Sequence, residues 1–197
     1  MRSVTSWLER KLFLKVNATR TKGTRPAGGA FPGFGFRNDK GEWKCKPLKD
    51  RIQRLYDKCR AVLLRKRAAA VSLRSTFIKL NQIIRGWINY YRIGSMKKAM
   101  DEFGQWLRHK VRVVILKQWK MPKTIYHNLK TLNLKFKCGF SEEDIHKAAN
   151  TRLGWYRRCG YHVVNCLLSP KVLSMPNIKE GRPGLVDPLK YYLAALQ

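Results

Sequence analysis

Acidic residues are scarce in this chain, and their scarcity limits the reactions that it can catalyse. The 197 residues include 12 Asp and Glu against 42 Lys and Arg, which gives a formal net charge of +30. No acidic residue occurs from Lys58 to Met100 or from Phe103 to Ser141. A two-metal phosphoryl-transfer site needs several carboxylates that converge on the ions, and the centre of this chain has almost none. A charge of one sign and this size repels itself unless a polyanion neutralises it, so we expect a nucleic-acid partner.

The sequence also lacks paired cysteines and long apolar segments. Its five cysteines form no CxxC pair, and an odd number of Cys without a secretory signal is typical of reduced thiols inside a cell. The expected location is therefore the cytoplasm or an organelle that contains nucleic acid, and not the outside of the cell. The spacing of Cys159, His162 and Cys166 leaves a zinc site open as an alternative, although structural zinc sites usually have two close ligand pairs. No apolar run reaches the ~18 residues of a membrane span, so no membrane partner is expected.

Helical periodicity is strongest from Leu80 to Trp119. Apolar residues recur there at helical spacing in two stretches, separated by Gly94 and Ser95, which have the residue types of a helix C-cap and N-cap. The pattern predicts two amphipathic helices joined by a tight turn. A preceding helix, predicted from Leu48 to about Arg67, completes a three-helix antiparallel bundle.

Smaller elements are predicted on both sides of this bundle. FPGFGFR (31–37) and EWKCK (42–46) alternate with period two around a turn at 38–41, which is typical of a β-hairpin. A helix is expected to start at the N-cap Ser141 and to continue to Gly160, and Ser169-Pro170 and Asp187-Pro188 each predict the start of a short helix.

The predicted fold is therefore mainly α, with a bundle between two smaller regions. The predicted regions are a short helix, a basic loop and the β-hairpin in residues 1–47, the three-helix bundle in residues 48–120, and a basic helical C-terminal lobe in residues 121–197.

Two central motifs carry a family resemblance. RGWINYYR (Arg85 to Arg92), followed by FGQWLRHKVR (Phe103 to Arg112), resembles the maturase domain, also called domain X or thumb, of group II intron-encoded reverse transcriptases. Flanking pieces agree in order: LERKLFLKVNATRTK is similar to the sixth conserved block of those enzymes, FPGFGF to the FLGF strand of the seventh, and GLVDPLKYY to the short C-terminal segment of bacterial members. The resemblance covers nearly the whole chain, and it implies that residues 1–47 are a remnant of the reverse transcriptase palm.

The chain departs from the family where the family holds its catalytic metals. It has no YxDD box and no Cys-rich HNH endonuclease domain, and Pro32 stands where the FLGF strand has leucine. The resemblance therefore implies a maturase domain that binds structured intron RNA and assists splicing, without polymerase activity of its own. It implies no cofactor, because Mg²⁺ would enter only with the RNA or with a separate palm domain. Two alternatives stay open: a thumb fragment of a split reverse transcriptase, with a palm fragment or a DNA target as partner, and a decayed fragment without function.

The predicted RNA-binding residues lie on the polar faces of the central helices and in the basic stretches around them. Lys and Arg are expected to contact phosphates, and Tyr90 and Trp106 to stack on unpaired bases, because both lie off the apolar stripes. Trp87 and Tyr91 lie on the stripe, where core packing is the expected role. The full set is Arg85, Asn89, Tyr90, Arg92, Lys97, Lys98, Trp106, Arg108, Lys110, Arg112, Lys120, Lys123, Arg157 and Arg158.

Overall fold

The protein is mainly helical with a small sheet near its N-terminus, which confirms the predicted fold class. The computed structural model describes residues 2–17, 24–31, 33–64, 68–178 and 181–196, so part of the basic loop, Pro32 and residues 65–67 lie outside the described residues. The helix predicted to run to about Arg67 ends earlier, at Val62. None of the helices in these ranges is long and apolar enough to cross a membrane. The elements in chain order are α1 (Arg2–Leu12), a 3-10 turn (Pro26–Gly28), β1 (Ala30–Phe31), β2 (Phe34–Asp39), β3 (Glu42–Pro47), α2 (Lys49–Val62), α3 (Leu73–Tyr91), α4 (Lys97–Trp119), α5 (Pro122–Phe136), α6 (Glu142–Asn150), α7 (Trp155–Arg158), α8 (His162–Leu167), α9 (Pro170–Ser174) and α10 (Pro188–Ala194).

The predicted β-hairpin is present as β2 and β3, in an antiparallel sheet of order β1-β2-β3. Phe34 pairs with Pro47 at the open end of the hairpin. In the turn, Lys40 and Gly41 have φ angles of 54° and 92°, and positive φ at both central residues is what a type I′ hairpin turn requires. The Gly41 N–H donates a 2.9 Å hydrogen bond to Asn38 Oδ1. The turn residues therefore fix the register of the two strands.

A hydrophobic core joins the three long helices. Leu55 and Cys59 of α2, Phe77 and Ile84 of α3, and Phe103 of α4 are fully buried. Four of them lie on the predicted apolar stripes, whereas Phe77 precedes the predicted stretch from Leu80 to Trp119. The helix α2 packs against both α3 and α4. Burying one large apolar side chain contributes about 1.5–3 kcal/mol, so this interior is a major source of the stability of the bundle.

The helix α10 adds a fourth member to the predicted three-helix bundle. It packs against both α3 and α4, with Pro188 and Tyr192 buried. Asp187 accepts a 3.1 Å hydrogen bond from the Lys190 N–H, which confirms the predicted N-cap. The Tyr192 hydroxyl donates a 2.9 Å hydrogen bond to the carbonyl of Gly94, a residue 98 positions away in the sequence. A C-terminal side chain thus holds the turn between α3 and α4.

The turn between α3 and α4 is placed by tertiary contacts. The prediction that Ser95 caps α4 is wrong, because α4 begins at Lys97 and has Met96 at its N-cap position, without a side-chain cap. The Ser95 N–H donates a 2.8 Å hydrogen bond to the carbonyl of Cys45 in β3. A Cβ atom at Gly94 would lie 3.0 Å from Pro47 Cδ. Glycine is needed here because the sheet approaches the turn closely.

The C-terminal lobe consists of the 15-residue helix α5 followed by short helices. Ser141 caps α6, as predicted, by accepting a 3.1 Å hydrogen bond from the Asp144 N–H. The prediction that this helix continues to Gly160 is wrong, because the backbone is extended at Thr151, where ψ is 137°. The Arg158 guanidinium donates a hydrogen bond to the Thr151 carbonyl. A side chain therefore satisfies a backbone acceptor at the end of α6 and stabilises the break.

Candidate nucleic-acid interface

Exposed polar and cationic side chains from the predicted set gather around the turn between α3 and α4. Arg85, Asn89 and Arg92 are exposed on and just after α3. The Tyr191 hydroxyl of α10 donates a 3.2 Å hydrogen bond to Asn89 Oδ1, and the Arg85 guanidinium carbon lies 5.9 Å from the centre of the Tyr191 ring. The α10 helix therefore orients two of these side chains while leaving them accessible.

Lys97 and Lys98 are exposed at the start of α4, beside a wide cleft. The cleft has a volume of about 1060 Å³ and lies between the sheet and the first turns of α2 and α4. The Lys98 Nζ lies 3.9 Å from a Glu102 carboxylate oxygen; both groups are solvent-exposed, so this pair is weak. The charged residues that line the cleft are Arg37, Lys46, Lys49, Lys97, Lys98, Asp101 and Glu102.

The two predicted stacking residues have different environments. Tyr90 is 57% exposed on α3. Trp106 is half-buried, and its ring centre lies 4.8 Å from that of Tyr56 and 5.8 Å from that of Phe103. The prediction that Trp106 lies off the core is therefore wrong, because α2 covers this side of α4 and supplies an aromatic neighbour. Tyr90 keeps the accessible surface that base stacking requires.

Arg112 is a structural residue, which corrects the prediction that it lies on an exposed cationic face. It is 8% exposed, and its guanidinium donates hydrogen bonds of 2.9 Å to the Leu168 carbonyl and 2.6 Å to Asn165 Oδ1. Burial, followed by the neighbouring charge of Arg108, lowers the pKa of Arg112. Its charge joins α4 to the C-terminal lobe and is not presented to solvent.

Arg108 and Arg158 are likewise held by the protein, so their predicted exposure is also wrong. Arg108 Nη1 lies 3.3 Å from Asp187 Oδ2, and the two side chains are each 17% exposed. Arg158 is 9% exposed, and its guanidinium carbon lies 4.9 Å from the centre of the Trp155 ring. The partner of Arg108 lies 79 residues away in the sequence, whereas Arg158 contacts a residue of its own short helix α7.

The remaining predicted residues lie far from the turn. Lys120 and Lys123 are exposed after the end of the 23-residue helix α4, whose length separates Lys97 from Trp119 by about 33 Å at 1.5 Å of rise per residue. Lys110 is half-buried, with its Nζ 5.1 Å from the centre of the Tyr156 ring. Arg157 is exposed on α7. The predicted residues therefore form separate patches, of which the group around the α3–α4 turn is the most compact.

Three cations of α2 that sequence analysis did not select lie close to this group. Arg51, Arg54 and Lys58 line a groove between α2 and α3 that Tyr90 also lines. Their spacing of three and four residues places them on one face of a helix, a signal that was available in the sequence.

The cysteines and histidines of the C-terminal lobe do not form a cluster with the ligand number of a structural zinc site. Across the described ranges, no group of three His, Cys, Asp or Glu side chains is placed to hold a metal ion. Cys159 is fully buried, and burial raises the pKa of its thiol to about 12. Cys166 Sγ lies 3.6 Å from His162 Nε2. Two neighbouring groups fall short of the four ligands that a structural zinc ion takes.

Comparison with known proteins gives one family for the centre of the chain. Residues 52–136 match the family model described as "Group II intron, maturase-specific domain". The match begins within α2 and ends with the last residue of α5, so it includes α3, α4 and the turn between them. A search of curated proteins finds no matching sequence.

Proposed function

We propose that the chain binds structured intron RNA and assists its splicing, because residues 52–136 match the family model of the group II intron maturase-specific domain. The family match carries the proposal, because the intron is the element that a maturase domain serves. The chain contains no YxDD box, so the proposed activity is RNA binding without polymerisation.

Charge on the exposed surface supports this proposal. Arg85, Arg92, Lys97 and Lys98 are exposed around one turn, within a part of the sequence whose only acidic residues from Lys58 to Ser141 are two adjacent ones in α4. Each phosphate that such side chains neutralise releases counterions, and this release makes the affinity fall steeply with salt. The proposal therefore predicts a strongly salt-dependent affinity for RNA.

Filter binding with a group II intron transcript at several salt concentrations tests the proposal. The double variant Arg85→Gln/Arg92→Gln should reduce the slope of log affinity against log salt by about two, because each removed phosphate contact reduces it by about one. Lys147→Gln/Lys171→Gln removes the same charge from exposed positions in the C-terminal lobe and serves as the control, with a smaller expected change. In a parallel assay, adding the chain should raise the fraction of the intron that splices at low Mg²⁺.

Two results would contradict the proposal in distinct ways. Equal affinity for intron RNA and for random duplex DNA at moderate salt would remove its intron-specific part. A non-cooperative thermal melt, followed by circular dichroism, would favour a decayed fragment that no longer folds. A cooperative melt together with preferential intron binding would support the proposal.

A second candidate function is that of a thumb fragment in a split reverse transcriptase. The observation that favours it is the apolar surface of the N-terminal segment, where Trp7, Leu12 and Phe13 are 54%, 49% and 89% exposed. Large apolar side chains grouped on a surface are typical of a protein-binding site, and in this case the partner would be a separately encoded palm fragment. Co-purification with such a fragment, lost in a Trp7→Ser/Phe13→Ser variant, would support this function. The absence of polymerase activity in the mixture would count against it.

A further inference from the structure

The groove between α2 and α3 has the size and the charge of a nucleotide-binding site. Its volume is about 400 Å³, within the ~300–1,000 Å³ that ligand pockets commonly have. Arg51, Arg54 and Lys58 line it from α2, while Gly86 and Tyr90 line it from α3. None of the described residues in its lining is acidic. The groove therefore combines cations, an aromatic ring and a helix position, Gly86, that has no side chain.

Two acidic residues neighbour the α2 cations: Asp50 lies 3.3 Å from the Arg51 guanidinium, and Asp57 is engaged by partners outside the groove. Arg54 and Lys58 are both exposed, and their separation of four residues places them on one face of α2. Asp57, which is adjacent to Lys58, accepts hydrogen bonds of 2.7 Å from Arg60 and 3.1 Å from Gln53. These contacts partly neutralise the Asp57 carboxylate, which does not line the groove. The groove side of α2 thus keeps a positive potential toward a polyanion.

Tyr90 is held in place from two sides but remains accessible. Its ring centre lies 6.1 Å from that of Phe34 at an interplanar angle of 21°, and 4.7 Å from that of Tyr91 at 75°. More than half of the residue, 57%, is nevertheless exposed. A ring that is already positioned loses little conformational freedom when a base stacks on it, which favours binding.

The long helices contain Gly86 in α3 and Gly104 in α4. Packing against other residues requires a small residue at Gly104 but not at Gly86. A Cβ atom built at Gly104 of α4 would lie 3.0 Å from Arg108 Nη1 and 3.5 Å from Pro188 Cδ, so the approach of α10 requires a small residue there. A Cβ atom at Gly86 would meet no described atom within 4 Å apart from its chain neighbours and the nearby backbone of its own helix. Glycine in a helix interior is less stable than alanine. The missing side chain at Gly86 leaves space in the groove, so that a ligand can approach the backbone of α3.

We propose that this groove binds an unpaired segment of RNA, with phosphates on Arg54 and Lys58, a base stacked on Tyr90, and the sugar-phosphate chain passing close to Gly86. This inference rests on the proposed function and assigns to it a site for single-stranded nucleotides. An RNA duplex offers no base that is free to stack on Tyr90, because its bases already stack on one another.

Two fluorescent probes test the groove on the full chain: oligoadenylate of about 10 nucleotides and a blunt RNA duplex with the same number of phosphates. Tyr90→Leu should weaken oligoadenylate binding about tenfold, since stacking on one aromatic side chain has an effect of this order, and should change duplex binding little. Tyr90→Phe keeps the ring and should recover affinity relative to Tyr90→Leu. Gly86→Leu should also weaken oligoadenylate binding about tenfold by filling the groove, while its melting temperature stays equal to or above that of the wild type.

Charge variants complete the test. Arg54→Gln/Lys58→Gln should reduce affinity for oligoadenylate more than the matched control Lys147→Gln/Lys171→Gln, which removes equal charge far along the chain. Thermal melts of every variant exclude unfolding as the cause of a loss.

Each remaining outcome decides against the site or against the function on which it rests. If Tyr90→Leu and Gly86→Leu bind oligoadenylate like the wild type, or if they lose equally on the duplex, the groove does not bind unpaired nucleotides. If the wild type binds the intron transcript but not oligoadenylate, the groove assignment fails and the proposed function stands. If the wild type binds no RNA at all, the proposed function itself fails.

Discussion

Replacing Arg112 with leucine separates the structural arginines of the central motifs from those proposed to bind RNA. The buried Arg112 guanidinium donates hydrogen bonds to the Leu168 carbonyl and to Asn165 Oδ1 at 2.9 and 2.6 Å. A hydrogen bond from a charged group contributes about 1.5–3 kcal/mol, and a buried acceptor left without a donor costs about 1–3 kcal/mol. Leucine offsets part of this loss because it also removes a buried charge. We therefore expect the free energy of unfolding to fall by roughly 2–4 kcal/mol.

Thermal unfolding by circular dichroism measures this loss, and filter binding well below the transition measures the RNA affinity of the same variant. For a chain of 197 residues, each kcal/mol lowers the melting temperature by about 2–4 °C, so Arg112→Leu should melt roughly 5–15 °C lower. Its affinity for intron RNA should match that of the wild type. Arg85→Gln should show the reverse pattern, with an unchanged melt and weaker binding. An Arg112→Leu variant that melts like the wild type but loses affinity as Arg85→Gln does would refute the structural role.

Substitutions at three further positions test other parts of the fold. Gly94→Ala places a Cβ atom 3.0 Å from Pro47 Cδ, so a denaturant titration should show a loss of about 1–3 kcal/mol; an unchanged midpoint would contradict the close packing of the sheet on the turn. Asp187→Ala removes a helix cap and a 3.3 Å ion pair with Arg108, which should cost about 2–4 kcal/mol in the same titration. Asp187→Asn should lose less because it keeps the cap, and equal losses for the two variants would assign the whole effect to the ion pair. Burial, followed by the charges of neighbouring cations, lowers the pKa of His109. The unfolded chain therefore takes up the proton first, and stability should fall as the pH drops below the ordinary His pKa of about 6.5. His109→Gln should lack this pH dependence, and its persistence in that variant would assign it to other groups.

Local sequence patterns predicted the elements whose determinants lie close together in the chain. The N-caps at Ser141, Ser169 and Asp187 are present as predicted. Each cap depends on a side chain and a backbone group three residues apart, so a short window contains the whole interaction. The resemblance to the C-terminal part of a group II intron maturase is also confirmed, because residues 52–136 match that domain.

Exposure of the central arginines could not be predicted in the same way. Arg108 and Arg112 appear opposite the apolar stripe of α4, but their partners Asp187 and Asn165 are 79 and 53 residues away in the sequence. A helical pattern shows which side of a helix is polar and does not show whether another segment covers that side. The helical pattern likewise predicts a single polar face on α3. In the structure α10 contacts it at Asn89, whereas Gly86 faces the groove beside α2.

The position of α10 against α3 and α4 has a consequence for how the domain is made. Tyr192 reaches back 98 residues to the turn at Gly94, and contacts this distant in sequence slow folding because a long loop must close before they form. During synthesis, the ribosome therefore releases α3 and α4 well before the segment that locks them together. A nascent chain that has reached only residue 136 presents the apolar surface which Pro188 and Tyr192 later cover. In the cell, chaperone binding to the nascent protein should be strongest in this interval, after residue 136 has been synthesised and before α10 is complete.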